Sequence, residues 1–246
     1  MANILSISGS DPSGQAGVQA DLEAIKDLGH RAFSVVTAVT AQNDERVYSI
    51  NPVDTRVLND QLRALLAQFE FDAVKVGLLA TNELAYQVYR VLKEHELPNI
   101  VVDPVIRSSS GTVMLENSAI PLLTGYVMPL AVLVTPNLDE AESITNMKVR
   151  DADQMAEAAK HVFNLAKGVG GVLIKGGHLK ENKVDILYDG STYHQYPAER
   201  IYPENFRGTG CRLASAIAAY LGEGKSLKQA VENAKAYLDE FIARQS

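Results

Sequence analysis

An α/β fold, a mainly parallel sheet covered by helices on both faces, is the class this sequence predicts, and three observations carry it. Short apolar runs alternate with amphipathic stretches at helical spacing along the whole chain. Most of the strand-like runs, such as Ile100-Val101-Val102 and Val172-Leu173-Ile174, are apolar without strict alternation, as strands buried on both faces are. Polar and glycine residues collect at the carboxyl ends of these runs, at Ser8-Gly9, Gln42-Asn43, Gly77, Asp103, Asn137 and Lys175-Gly176-Gly177. In open parallel sheets that is where ligands bind.

In chain order, Ile4-Leu5-Ser6-Ile7 reads as a buried strand that runs into the turn-rich Ser8 to Gly14. Val18, Leu22 and Ile25 follow at helical spacing, with Gly29 as a C-terminal stop. Phe33 to Val39 is rich in β-branched residues and predicts a second strand, with a short one over Val47 to Val53. Leu58, Leu62, Leu65, Leu66 and Phe69 mark an amphipathic helix before the strand and turn of Ala73 to Leu79. Helices are expected at Asn82 to Glu94, more weakly at Ile120 to Leu130, and at Leu138 to Ile144 and Asp153 to Lys167. Strand segments are expected at Asn99 to Pro104, Ala131 to Asn137 and Gly171 to Gly177. Val184 to Tyr188 and Thr192 to Tyr196, joined through Asp189-Gly190, predict an antiparallel hairpin. A helix from Leu213 to Leu221 and a last one carrying Leu227, Val231, Ala234, Leu238 and Phe241 close the chain. No linker, low-complexity tract or repeat interrupts the pattern, so a single domain is expected.

Composition narrows the function classes. The 246 residues are 46% hydrophobic and 22% charged, an ordinary globular balance with material for a large core. A formal charge of −7 argues against nucleic acid or an anionic membrane as the main partner, while leaving a small phosphorylated ligand open. One cysteine rules out an internal disulfide framework and fits a reducing compartment. No run reaches the roughly 18 apolar residues of a membrane helix, and Met1 to Ile7 lacks a signal-peptide pattern. A soluble cytoplasmic protein is expected.

The stretch that draws the others together is Phe206-Arg207-Gly208-Thr209-Gly210-Cys211-Arg212-Leu213. Its glycines let backbone N–H groups approach a ligand, and a helix begins there, so its positive N-terminal end suits a phosphate. The same glycines also suit an ordinary tight loop before a packing helix. Cys211 falls in that first turn, where a helix N-terminus is expected to lower a thiol pKa enough for it to accept a hydroxyl proton. Asp103 ends an apolar strand, and Pro104 stops the ladder; the carboxylate either faces the ligand crevice or caps a turn. Asn137 and Glu140 are spaced as a capping box, and equally as a pair that holds Mg²⁺ largely through waters. Lys175 can reach a phosphate as a point charge, whereas the neighbouring His178 reads as a surface or supporting residue. Asp11 reads first as a turn residue, and Asp21 lies beside the apolar stripe of the first helix, facing either solvent or a site. The histidines at 30, 95, 161, 178 and 194 show no metal-ligand spacing.

Taken together, these residues resemble the ribokinase-like superfamily, specifically its hydroxymethylpyrimidine and phosphomethylpyrimidine kinases. The carriers are Ser8 to Asp21, Thr37 to Asn43, Lys75 to Leu79, Asp103-Pro104-Val105, Thr135 to Glu142, Lys175 to His178 and Gly208 to Cys211. The resemblance covers essentially the whole chain. It implies a three-layer fold, a homodimer, and ATP- and Mg²⁺-dependent phosphorylation of 4-amino-5-hydroxymethyl-2-methylpyrimidine and its monophosphate for thiamine diphosphate synthesis. It further implies that Gln42 bonds the aminopyrimidine edge, with Gly9, Leu78 and Val105 lining the pocket and Asp21 near it. Asn137, Glu140 and Asp103 would serve the metal, and Lys175, Asn137 and Thr209 the nucleotide. The Gly208–Cys211 turn would form an anion hole, with Gly208 and Gly210 supplying its backbone and Cys211 acting as base.

The sequence departs from that family's pattern at Arg207, at Arg212, at Asp44-Glu45-Arg46 and in ending at Ser246 without a further glycine- and histidine-containing tail. The arginines are expected either to add charge for a phosphorylated acceptor or to be solvated, and solvation is expected for Arg212. Two rival readings remain: a pyridoxal or pyridoxamine kinase, and a ligand-binding or regulatory protein that has lost turnover.

Overall fold

In the computed structural model, residues 1–108, 111–177, 183–197 and 207–245 are described; His178, Phe206 and Ser246 lie outside them. The described strands are β1 (Asn3–Ser10), β2 (Arg31–Gln42), β3 (Val47–Pro52), β4 (Ala73–Val76), β5 (Ile100–Val102), β6 (Leu133–Val134), β7 (Val172–Ile174), β8 (Val184–Tyr188) and β9 (Tyr193–Pro197). They form one sheet in the order β3-β2-β1-β4-β5-β6-β7-β8-β9. The ladders from β2 through β1, β4, β5 and β6 to β7 are parallel, and both flanks, β2–β3 and β7–β8–β9, are antiparallel. The strand order reverses beside β1, whose neighbours are β2 on one side and β4 on the other.

The helices are α1 (Gly17–Asp27), α2 (Thr55–Leu66), α3 (Asn82–Glu94), the single turn α4 (Ile120–Leu122), α5 (Leu138–Thr145), α6 (Ala152–Leu165), α7 (Thr209–Gly222) and α8 (Leu227–Gln245). Alternate strand residues serve opposite faces. Leu5, Val74, Val76, Val102, Val134 and Ile174 join a core with α2, α3, α5 and α6. Ile4, Ala73, Val101, Leu133 and Leu173 join a second core with α1, α7 and α8. The result is the three-layer arrangement expected of strands buried on both faces.

Expected and observed elements agree closely at α3, which spans Asn82–Glu94 behind a Thr81 N-cap whose side chain accepts from the Leu84 N–H. The helix expected over Ile120 to Leu130 is instead α4 flanked by 3₁₀ turns and a π turn; Pro121 is accommodated in its first turn, and Pro129 removes a ladder donor further on. The hairpin loop is longer than the Asp189-Gly190 pair: Tyr188 pairs with Tyr193, and the Asp189 carboxylate accepts from the N–H groups of Ser191 and Thr192.

Candidate active site

The carboxyl ends of β1, β4, β5, β6 and β7 meet the N-terminus of α7. Gly208 is the N-cap of α7, with φ +73°, and a Cβ there would lie 1.8 Å from the Gln15 carbonyl oxygen. Only glycine permits both that left-handed conformation and that approach. The first N–H groups of α7 have no partners within the helix and point out of its end. The Lys175 ammonium sits against this turn, 3.0 Å from where a Gly210 Cβ would be. Cationic and backbone donors are therefore concentrated at one spot, as an anion site requires.

Lys175 Nζ donates to Asp103 Oδ1 at 2.7 Å, and Thr135 Oγ1 donates to the same oxygen at 3.2 Å. Burial alone would raise the Asp103 pKa, but Lys175 and Lys75 more than offset it and hold the carboxyl below its usual range. Burial likewise works against the Lys175 ammonium, yet Asp103 and then Glu140 leave its pKa above the ordinary value. The Asn137–Glu140 capping box is complete: Asn137 N–H donates to Glu140 Oε2 at 2.8 Å, and Glu140 N–H to Asn137 Oδ1 at 2.9 Å. A bridge pairs Asn137 with Lys175 across the ends of β6 and β7. Burial pushes the Glu140 carboxyl up to about 8, with Lys175 opposing the rise and Asp103 adding to it.

Among the described residues no group of three or more His, Cys, Asp or Glu side chains converges to hold a metal ion. The donor set beside Lys175 is the pair of buried carboxyls, Asp103 and Glu140. Such a pair fits Mg²⁺, which is held by one or two carboxylates and completes its octahedron with water and phosphate oxygens.

Beneath the α7 turn lies a sealed charge pair. Lys75 Nζ contacts both Asp21 oxygens at 2.9 Å, and neither side chain has any exposure. Ser6 Oγ and Ser215 Oγ donate to the same carboxylate at 2.6 and 2.9 Å. Asp21, expected near the acceptor, is fully buried as the counter-charge of Lys75, whose ammonium lies 2.7 Å from a Cβ position on Gly77, the residue before Leu78. Burial pulls the Lys75 pKa down, but Asp21 reverses this and leaves it above the ordinary value. Lys75, Ser6, Ser215 and Thr135 are site residues that sequence reasoning misses. The signal for Lys75 is present, a charged residue inside the apolar run Ala73-Val74-Lys75-Val76.

Cys211 also requires a correction. The helix end is expected to lower its pKa; burial instead pushes the thiol up to about 11. Lys75 and a backbone N–H bond from Gly17 oppose that rise, while Asp21 and Asp103 add to it. Desolvation by the surrounding protein outweighs the helix end.

The expected acceptor residues share the reversal point of the sheet. Gly9 stands at a register shift in β1, and a Cβ on it would lie 2.7 Å from Leu78 Cδ2. Leu78 clusters with Ala38, Val47, Ala80 and Met114, with Ile50 and Val105 packed against them. Gln42 ends β2 beside another register shift and is half-buried. Met114 and Ala38 pack in the same cluster, and sequence reasoning gives them no role because they look like any core residue.

The unusual residues form contacts around this mouth. Gln15 Nε2 donates to Asp44 Oδ1 at 2.8 Å, and Arg207 Nη1 donates to the Asn43 carbonyl. Arg212, expected to be solvated, is buried: it donates to Gln15 O and to Glu23, and lies over the Phe241 ring. The first turn of α7 points its side chain back toward α1 and α8, not outward.

A three-layer α/β sheet whose carboxyl edge gathers a helix N-terminus, a lysine and two carboxyls is the architecture of the ribokinase-like kinases it superposes on. Residues 11–246 match the phosphomethylpyrimidine kinase family, and the chain belongs to it. It is 38% identical to the hydroxymethylpyrimidine/phosphomethylpyrimidine kinase of Aquifex aeolicus, over 97% of this chain and 93% of that one. It is 41% identical to the thiamine biosynthesis bifunctional protein ThiED of Geobacter sulfurreducens over 98% of its own length, but spans only 49% of that relative. Among solved structures, phosphomethylpyrimidine kinase from Clostridium difficile 630 superposes with a TM-score of 0.86 at 36% identity, covering 98% of this chain and 100% of the other. Pyridoxal kinase from Staphylococcus aureus, solved with AMP-PCP and pyridoxal, gives 0.86 at 33% identity, covering 98% and 88%. The chain is therefore a kinase.

Proposed function

We propose that this kinase transfers the γ-phosphoryl group of ATP, with Mg²⁺, to the hydroxymethyl group of 4-amino-5-hydroxymethyl-2-methylpyrimidine, and then to the resulting monophosphate, for thiamine diphosphate synthesis. The observation that carries the reading is the meeting of the α7 N-terminus with Lys175 Nζ at 3.0 Å from the Gly210 Cβ position, beside the reversal point of the sheet. In the first step the acceptor oxygen bonds to the γ-phosphorus, the bond from that phosphorus to the β–γ bridging oxygen breaks, and ADP leaves. The backbone of Gly208, Thr209 and Gly210 receives the transferring oxygens, and Lys175 neutralises charge that develops on them. Asn137, Glu140 and Asp103 are the residues for the metal, which when bound would shield the phosphate charge. Gln42 would bond the aminopyrimidine edge, over walls made by Gly9, Leu78 and Val105.

Cys211 stands as the group that takes the hydroxyl proton. It does so as its thiolate, the minor form at neutral pH, and becomes the thiol; in a loose transition state the proton leaves late, so that small fraction suffices. With the thiol near 11, kcat/KM of the native enzyme rises with pH through the alkaline range, and Cys211→Ala flattens that rise. An identical profile in the variant would remove the base assignment.

A second reading, a pyridoxal-type acceptor, is favoured by the equal TM-score of the S. aureus pyridoxal kinase. The decisive measurement is ATP consumption with hydroxymethylpyrimidine, its monophosphate, pyridoxal and pyridoxamine in turn. Turnover with both pyrimidines is expected; turnover confined to the pyridoxal group would replace the first reading. We also propose a single-domain, cytoplasmic homodimer, as the sequence resemblance implies, and light scattering at micromolar protein tests the dimer.

A further inference from the structure

Arg212 follows Cys211 directly, in the first turn of α7, yet is only 5% exposed. We infer that it is a positioning residue for phosphoryl transfer, clamping the Gly208–Cys211 turn onto the loop before α1. The inference rests on the kinase reading of that turn and concerns what fixes the turn in place.

The clamp and the turn share one atom. Arg212 Nη1 donates to Gln15 O at 2.6 Å, and that same oxygen lies 1.8 Å from the Cβ position of Gly208. The second arm of the guanidinium donates to Glu23 on α1, and its plane lies 4.5 Å from the centre of the Phe241 ring on α8. One side chain thus fixes α7 against a loop, a helix and a ring on three different elements. The contact continues to the acceptor side, because Gln15 Nε2 donates to Asp44, two residues beyond Gln42. A one-ångström drift of the turn would carry its amides away from the transferring oxygens, and displacements of that size are costly to catalysis.

Stability alone does not account for the residue. Its carboxylate partner Glu23 is 46% exposed, and Arg212 Nε has no partner among the described residues. Burying a guanidinium so incompletely paired carries a desolvation penalty, and an apolar side chain of similar length removes it. A positional role therefore predicts that activity and stability separate.

The test compares Arg212→Met, Arg212→Lys and Glu23→Gln with the native chain. For Arg212→Met, kcat is expected to fall about tenfold or more, with KM for ATP and acceptor held within about twofold and no loss of melting temperature. Arg212→Lys keeps one donor for Gln15 O and should recover part of kcat. Glu23→Gln should lose only about two- to threefold, since the Gln15 contact survives. Alkylation of Cys211 by iodoacetamide, followed by mass spectrometry, is expected to accelerate in Arg212→Met, because the turn is no longer pinned. That readout requires no substrate: if the native chain phosphorylates none of the four acceptors, the acceptor reading fails while the clamp is still tested. Unchanged kcat with unchanged alkylation would overturn the inference. So would a uniform loss in which melting temperature falls and both KM values rise. Should Arg212→Met not fold, Arg212→Lys and Glu23→Gln decide the matter by the same kinetic and alkylation readouts.

Discussion

Charge placement under the α7 turn decides what individual side chains contribute. Lys175 stands between the anion site and Asp103, at 2.7 Å from the carboxylate. Lys175→Met should lower kcat by about 10²–10³-fold, the loss typical of one preorganised charge-stabilising donor, and steady-state kinetics reads it directly. Cys211 is a neutral thiol at physiological pH, with its pKa near 11. Its alkylation at pH 7.5 should be on the order of a hundredfold slower than that of a free thiol, whose pKa is about 8.5. The rate should climb about tenfold per pH unit up to pH 10, as the thiolate fraction dictates. The Lys75–Asp21 pair is wholly buried, so Lys75→Met leaves an uncompensated carboxylate among Ser6 and Ser215. It should cost about 3–5 kcal/mol in urea unfolding, and adding Asp21→Asn should recover part of that loss.

Single elements show how much of this is legible in the sequence. The α3 boundaries follow from Thr81 and a clear apolar stripe, both visible in the chain. Asp103, Asn137 and Lys175 are recognisable because each ends a short apolar run, and parallel strands deliver such residues to one edge. The Asp21–Lys75 partnership is not, since its members are separated by 54 positions and no local pattern joins them. Arg212 is misjudged for a related reason: its fate depends on α1 and α8, not on its neighbours in sequence. The cysteine is misjudged because the helix-end effect is local and readable, whereas desolvation depends on everything packed around it. At the α7 N-cap, Gly208→Ala would combine a φ of +73° with a Cβ at 1.8 Å from Gln15 O. Backbone strain of that kind costs about 1–3 kcal/mol before the clash is counted. Both melting temperature and kcat should therefore fall, and calorimetry with kinetics checks the pair.

Across the whole molecule, the site exists because the strand order reverses beside β1. There β1, with a register shift near Gly9, lies beside β4, which ends at Val76 just before Gly77 and Leu78, so the proposed acceptor walls come from neighbouring strands. Parallel strands send their carboxyl ends the same way, and α1 and α7 are both packed on β1. The three-layer order follows from apolar patterning; the antiparallel flanks depend on pairings that patterning alone does not specify.

The composition of α7 has one more consequence. From Leu213 to Ala219 every side chain is buried, mostly alanine, and the helix lies between α1 and α8 over β1, β4 and β5. A rod wedged this closely cannot slide without opening voids along its length. The 11–17 segment is tied to this rod, through Arg212 on the Gln15 carbonyl and the close approach of Gly208, so the proposed phosphate cradle and that loop are held together. Hydrogen–deuterium exchange should find the amides of Leu213 to Ala219 among the slowest in the protein, and Arg212→Met should speed exchange in the 11–17 segment without speeding it along that helix stretch. In such an enzyme the anvil and the jaw beside it are held as one piece.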